Sequence, residues 1–347
     1  MEIGNFKINK NSSVFIIAEL SANHGGDIQI AIESIKAAKR AGANCIKLQT
    51  YKPETITLDS DKDDFILKET IWKGRNLYNL YQEAFTPWEW HEKLFEIAKQ
   101  ENIVCFSSPF DNSAVDLLED LNTPAYKIAS FEITDIPLIR YVASKQKPVI
   151  ISTGIASFED IVLAVETCRK AGNNQIALLK CTSSYPAPIN EANLRMIPKL
   201  SEDFNVITGL SDHTIGNIVP IVSTILGGKI IEKHFILDKS LGGPDASFSM
   251  DETEFKNMVD SVRQAERSLG KDDYLLTQKQ INSKNLARSL YITQDVKKGE
   301  FLSKENVKSI RPGYGLHPKY YEEVIGKKFN KDYEKGERLN FNCINND

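Results

Sequence analysis

The feature that most restricts how this chain can fold is a repeat of texture. From residue 14 to about residue 270, short apolar and β-branched runs recur, each followed by a longer stretch of helical period. Eight such runs stand at 14–18, 45–50, 103–107, 125–129, 149–153, 176–181, 206–210 and 229–234. Between them, Ile28, Ile32, Ile35 and Ala38 repeat at helical spacing, as do Phe255, Met258, Val259 and Val262. Eight βα units predict an α/β fold, a (β/α)8 TIM barrel over 1–270. An open doubly wound sheet is the alternative.

Two segments break the repeat. The second connection, 52–90, is rich in charged and aromatic residues and far exceeds the ~2–6 residues usual for a βα loop. An excursion on the loop face is commonly functional, for instance a lid. Past Gly270 the chain turns polar, and 271–282 reads as a linker. Short β-like pieces such as 289–293 then alternate with Lys-Gly and Pro-Gly turns, which predicts a small β-rich domain over 283–347.

Composition excludes several classes. The chain has 347 residues, 41% hydrophobic and 26% charged, as in ordinary globular proteins. Its net charge is -4 with Lys and Arg dispersed, so there is no basic stripe for nucleic acid. Cys45, Cys105, Cys168, Cys181 and Cys343 are odd in number and contain no CxxC pair, which predicts free thiols in a reducing compartment. The polar N-terminus and the lack of any run near ~18 apolar residues predict a cytoplasmic protein with no membrane partner.

In a (β/α)8 barrel the chemistry lies where strands end and loops begin. The first run leads into Glu19 and Ser21-Ala22-Asn23-His24; the second carries Lys47 and Gln49 on one face by the two-residue period. The third leads into Ser107 and Ser108, the fourth carries Lys127 and leads into Ser130 and Glu132, and the fifth ends in Ser152-Thr153-Gly154. Two lysines with several hydroxyls on one rim suit a phosphate or carboxylate, hence a small doubly anionic substrate. Lys47 has a competing reading as a structural ion pair with Glu19, because charge on an inward face needs a partner. Each serine, likewise, could simply cap the helix that follows it.

The last two runs end in Ser211-Asp212-His213 and Glu232-Lys233-His234, which sets two imidazoles at one height on adjacent strands. Such a pair suits an open Lewis-acid metal site, completed or buttressed by Glu232, Asp212 or substrate. Two hydrogen-bonded core histidines are the alternative. His24 is placed to touch substrate, whereas His91 and His317 read as structural. Trp72, Trp88, Trp90, Tyr78 and Tyr81 either line a sugar-stacking lid or pack a core.

In order along the chain, FIIAELSANHGG, IKLQTY, FSSPFD, YKIAS, STGIAS, LLKCTSSYP, GLSDHT and IIEKHF resemble the N-acetylneuraminate (sialic acid) synthase family. ARSLY and IRPGYGLHP are similar to its small antifreeze-like (SAF) domain. The 52–90 insertion and SFSMDETEF resemble the pseudaminic acid synthase branch. Its neighbours usually carry GPDHxAS, whereas here Gly243-Pro244-Asp245 leads into Ala246-Ser247-Phe248-Ser249 with no His. That departure argues against N-acetylmannosamine as substrate.

The resemblance implies a transferase that condenses phosphoenolpyruvate with an open-chain amino sugar. It implies that His213 and His234 ligate a divalent ion, Mn2+ or Mg2+, and that Lys47, Lys127, Ser130, Ser152 and Ser211 hold phosphoenolpyruvate. Glu19, Tyr185 and Asp245 would meet the sugar, Gln49 the reacting groups, and Glu132 the attacking water. Arg311 would reach from the small domain into a neighbour's barrel, in a domain-exchanged homodimer. Two rivals stand beside this reading: a Schiff-base aldolase using Lys180 or Lys127, and a non-enzymatic sugar-binding module.

Overall fold

The structure is a computed structural model that describes residues 1–68 and 71–345. It divides into two compact units, Met1–Gly270 and Lys271–Asp347.

The first unit opens with a hairpin, β1 (Glu2–Ile3) and β2 (Phe6–Lys7). Eight parallel strands then close into a barrel: β3 (Phe15–Glu19), β4 (Cys45–Thr50), β5 (Val104–Pro109), β6 (Tyr126–Ile128), β7 (Val149–Ser152), β8 (Ile176–Cys181), β9 (Ile207–Asp212) and β10 (Ile230–His234). β10 pairs back onto β3, with His234 opposite Glu19. Closure excludes the open-sheet alternative. Each strand is followed by an outer helix, from Ile28–Arg40 after β3 to Glu252–Leu269 after β10. The helices start where the sequence supplies caps: Asp27 accepts from the Gln29 amide at 2.7 Å, and Ser157 with Asp160 and Asp251 with Glu254 form capping boxes.

Most strand ends lie within a residue or two of the apolar runs. β6 stops early because Ser130–Glu132 winds into a 3-10 turn. β9 extends to Asp212, because the chain stays extended up to the paired loop that follows.

The strand period sorts the barrel's side chains. Outward residues such as Ile16, Ile46 and Leu48 pack under the helices. Inward residues Phe15, Ile17, Cys45, Phe106, Ile150, Ala177, Leu179 and Ile230 fill the lower interior. Ile3 and Ile8, from the hairpin and just beyond it, join that interior cluster, and Phe6 meets Phe15 edge-on at 5.3 Å, at the end where the strands begin. The hairpin is therefore the floor of the barrel.

The insertion after β4 contains helices Pro53–Ile56 and Leu77–Ala84. Asn76 caps the second, accepting from the Tyr78 amide at 2.8 Å, while its Nδ2 donates to the Ser60 carbonyl at 2.7 Å. Trp88 Nε1 donates to the Tyr51 carbonyl at 3.0 Å, and Tyr81 meets Tyr51 edge-on, so the segment is tied to the barrel at both places.

The second unit has its own core, including Leu290, Val307, Phe329 and Leu339. Strands β11 (Ser289–Ile292) and β12 (Val307–Ile310) pair antiparallel, and isolated bridges such as Val296 to Tyr333 and Phe329 to Ile344 supply the rest. The region is thus poorer in regular strand than its turn spacing suggested. Within the polar stretch read as linker, Gln278–Ser283 is a short helix, nucleated by a Thr277–Gln280 capping box. All five cysteines are buried free thiols. No helix among the described residues is long and apolar enough to cross a membrane.

Candidate active site

Above the apolar interior the inward positions become polar. Register sets Glu19 beside Lys47, and Lys47 Nζ meets Glu19 Oε2 at 2.5 Å and Ser108 Oγ at 3.2 Å. Lys127 donates to Ser152 Oγ at 2.6 Å and to the Ile128 carbonyl at 3.0 Å. Glu232 stands between the lysines, 3.9 Å from Lys47 and 4.0 Å from Lys127, and accepts from Ser211 Oγ at 3.0 Å. Gln49 Nε2 donates to Glu19 Oε1 at 2.9 Å and to Ser21 Oγ at 3.0 Å. Lys47, Lys127, Glu19 and Glu232 are all buried.

The two readings of Lys47 are not exclusive. The ion pair with Glu19 is formed, yet both ammonium groups also border serine hydroxyls at the strand ends. Glu232, which the sequence offered as a partner for the imidazoles, belongs instead with the lysines. Asp212 is not at the mouth either: it faces outward and pairs with Lys233 at 2.6 Å.

Electrostatics follow from burial. Burial pushes the Glu19 carboxyl up, and the Lys47 ammonium offsets part of the rise. For Glu232, burial is outweighed by Lys127 and Lys47, which hold it below the usual carboxylate range. Burial lowers Lys127 despite Glu232. Glu132, in the turn after β6, is raised to about 7 by burial against the pull of Lys127, and its Oε2 has no hydrogen-bond partner. A carboxyl poised near neutrality can take or give a proton.

Ser130 Oγ accepts from the Gly154 amide at 3.1 Å. A Cβ on Gly154 would lie 2.1 Å from Ser183 Oγ and 2.7 Å from Ser130 Oγ, so the backbone there must come close to both hydroxyls.

His213 and His234 project one pleat above Ser211 and Glu232, their ring centroids 5.3 Å apart. His213 Nδ1 donates to the Thr182 carbonyl at 2.9 Å, which in the neutral ring leaves Nε2 as the lone-pair nitrogen; burial pulls its pKa down, but Cys181 and the Thr182 carbonyl outweigh it and hold the ring above its ordinary value. His234 Nδ1 is buried without a hydrogen-bond partner, 3.6 Å from Asp245 Oδ2. Burial and the neighbouring His213 push His234 well down, which keeps it neutral. An oriented imidazole beside an orphaned one fits a metal ion with open positions. No cluster of three or more His, Cys, Asp or Glu suited to a metal occurs among the described residues, so water or substrate would complete the shell.

Burial raises Asp245, with Ser21 and the Ala22 backbone offsetting. Tyr185 packs on His213 at 4.3 Å between centroids. Arg311 lies in the other unit, exposed just after β12.

Residues 34–274 match the NeuB family, and residues 287–344 match the SAF domain. The chain belongs to the NeuB family. It is 52% identical over 339 residues to the pseudaminic acid synthase of Campylobacter jejuni subsp. jejuni serotype O:23/36 (strain 81-176), covering 98% of each chain. It is 50% identical to the pseudaminic acid synthase of Helicobacter pylori (strain ATCC 700392 / 26695), covering 91% of this chain and 93% of that one. Among solved structures it is similar to the N-acetylneuraminic acid (sialic acid) synthetase of Leptospira borgpetersenii serovar Hardjo-bovis in complex with citrate, with a TM-score of 0.73 and 32% identity over 82% of this chain and 96% of that one.

Within this NeuB barrel, the structure bears on three readings of the sequence. His24 is fully buried, its Nδ1 accepting from the Gly26 amide and its Nε2 3.3 Å from Thr86 Oγ1, so it packs a loop and does not face the mouth. Lys180 sits on the opposite face of β8 from Cys181 and donates to its own strand end. Trp88 and Trp90 pack structure, on Tyr51 and His24, and only Trp72 of the three tryptophans reaches the site, 5.7 Å from Tyr185.

Two residues were missed. Cys181 Sγ lies 3.9 Å from His213 Nδ1, and although burial opposes it, His213, Ser130 and Lys127 draw the thiol down to about 7. Asn23 bridges the Phe235 carbonyl and Ser249 Oγ, tying the first loop to the last. A single cysteine in an apolar strand gives no sign of its neighbour, whereas Asn23, in the loop after the first run, was open to notice.

Proposed function

We propose that this NeuB-family chain condenses phosphoenolpyruvate with 2,4-diacetamido-2,4,6-trideoxy-β-L-altropyranose and water, giving pseudaminic acid and phosphate. The observation that carries this is near-full-length identity of about half to two pseudaminic acid synthases, on a barrel whose mouth gathers two buried lysines and two imidazoles. In this reading 1–270 is the catalytic barrel, 271–282 a tether and 283–347 the SAF domain.

Lys47 and Lys127 anchor the phosphate and carboxylate of phosphoenolpyruvate, with the hydroxyls of Ser130, Ser152 and Ser211 beside them. A divalent ion held by His213 and His234, manganese or magnesium, would supply Lewis-acid polarisation of the sugar aldehyde. Glu19, Gln49, Tyr185 and Asp245 orient the open-chain sugar. The C2–C3 π electrons of phosphoenolpyruvate form the new bond to the aldehyde carbon, and the aldehyde oxygen takes a proton. Water adds to the cationic C2, with Glu132 accepting its proton. The C2–O bond to phosphate then breaks with its electron pair on phosphate, the C2 hydroxyl passes its proton to the departing phosphate, and the water oxygen remains as the C2 carbonyl before ring closure.

The same reading gives small-molecule partners, a cytoplasmic location and a domain-exchanged homodimer in which Arg311 enters the neighbour's barrel. Phosphate release is the test, measured with the altrose sugar, the legionaminic precursor and N-acetylmannosamine, each with a chelated control. Release with the altrose sugar alone, lost on chelation, is expected. Preference for another sugar moves the substrate, and no release with any of them overturns the reading. Borohydride trapping of a pyruvate imine would favour the Schiff-base rival at Lys127.

A further inference from the structure

A chain of aromatic rings walls one side of the two imidazoles. Phe248 lies 4.9 Å from His234 and 5.3 Å from Tyr185. Tyr185 lies 4.3 Å from His213, and Trp72, brought in by the 52–90 insertion, lies 5.7 Å from Tyr185. The rings are graded outward: Phe248 is buried, while Tyr185 and Trp72 are half-buried. The wall therefore begins at the reacting end of the site and runs toward its opening.

The sequence shows how the wall arises. Against the GPDHxAS that the resemblance implies for the neighbouring branches, this chain has Ala246 in the His position and Phe248 in the Ala position. A polar ring is lost and an apolar ring gained, on the segment that Asn23 and Ser249 fasten to the first loop. The insertion supplies the second apolar ring, and Asn76 and Trp88 hold it in place.

We propose that Trp72 and Phe248, bridged by Tyr185, determine specificity by selecting a sugar whose sixth carbon is a methyl group over one that carries a hydroxyl there. This rests on the synthase reading above. With the aldehyde at the imidazoles, the carbon chain runs outward along the rings, and a methyl gains by leaving water against aromatic carbon. A hydroxyl seated against the ring faces loses water and meets only carbon there, and the polar edges of the wall, the Tyr185 hydroxyl and the Trp72 indole N–H, limit how strongly it is disfavoured. An apolar pocket rejects an added hydroxyl by at most about 10²-fold. The wall thus sets a preference of that order, not an absolute exclusion.

The test compares kcat/KM for 2,4-diacetamido-2,4,6-trideoxy-altrose with that for its 6-hydroxy counterpart, in wild type, Trp72→Ala and Phe248→Ala. The expected result is a wild-type preference of about 10- to 100-fold that falls to within a few-fold in both variants, with KM for phosphoenolpyruvate unchanged. Trp72→Ala lies in the insertion outside the barrel, so it remains informative if Phe248→Ala fails to fold; melting curves check both. A preference that survives in folded variants overturns the wall, as does a KM for phosphoenolpyruvate that rises in step with that for the sugar. Failure of the wild type to release phosphate with the 6-deoxy sugar overturns the synthase reading itself, and the wall with it.

Discussion

Lys233 and Asp212 form a buried ion pair, 2.6 Å from Nζ to Oδ2, on the outward faces of the two strands whose inward faces carry His234 and His213. The ammonium also donates to the carbonyls of Thr214 and Gly216, while Asp212 Oδ1 accepts from the Thr214 amide at 2.9 Å. One lysine thus fastens the loop that begins at His213. Removing one member of a buried pair leaves the other charged and unpaired, at a cost of about 3–5 kcal/mol. Lys233→Met is expected to lower stability by that order in urea unfolding. Lys233→Met with Asp212→Leu is expected to recover much of it.

The pair between Lys47 and Glu19 differs in consequence because it faces the mouth. Lys47→Met leaves Glu19 and Glu232 buried with one fewer ammonium group beside them, so both stability and affinity for phosphoenolpyruvate are expected to fall. Adding Glu19→Met should restore stability but not affinity. Denaturant unfolding and KM for phosphoenolpyruvate, read on the single and double variants, separate the two effects.

Glu132 sets a pH dependence. Its carboxyl sits at about 7 in the folded chain against an ordinary value of 4.5. The folded state therefore holds the proton more tightly than the unfolded state. The stability this contributes is fully present below the ordinary carboxylate range and is lost as pH rises through about 7, by about 3 kcal/mol at most. Glu132→Gln is expected to flatten the fall in melting temperature between pH 5 and pH 8, conditions chosen as about the span of that titration. Phosphate release should have the opposite sign, rising through about 7 as the base ionises, and Glu132→Gln should remove that limb.

Metal dependence is expected to reside in the imidazole pair. His234→Gln and His213→Gln should each weaken manganese binding, followed by its paramagnetic signal, by more than the ~10–100-fold typical of losing an outer-shell partner. Unchanged binding in both variants would place the ion elsewhere.

Much of this is legible in the amino-acid sequence. The eight apolar runs predicted the closed barrel because strand formation and burial are local properties of sequence. The two-residue period likewise put Lys47 with Gln49 on a common face, and the adjacent seventh and eighth runs put His213 and His234 at one height. Partnership was less legible. Glu232 could not be assigned to the lysines over the imidazoles, since the choice depends on how strands stagger when the barrel closes. The contact of Cys181 with His213 and the reach of Trp72 to Tyr185 depend on loop paths that no periodicity encodes. His24 misled because its place after the first strand resembles that of a ligand-binding residue, yet Trp90 and Thr86 enclose it.

The hairpin floor has a kinetic meaning. With Ile3 and Ile8 sealing the end where the strands begin, the barrel is a cup with a single opening. Lys47, Lys127 and Glu232 lie one pleat beneath Gln49, His213 and His234, so a molecule seated on the lysines is covered by one held at the imidazoles. On the proposed reading, reactants that share one doorway queue: the anion is expected to enter before the sugar, and a sugar that arrives first to bar the way.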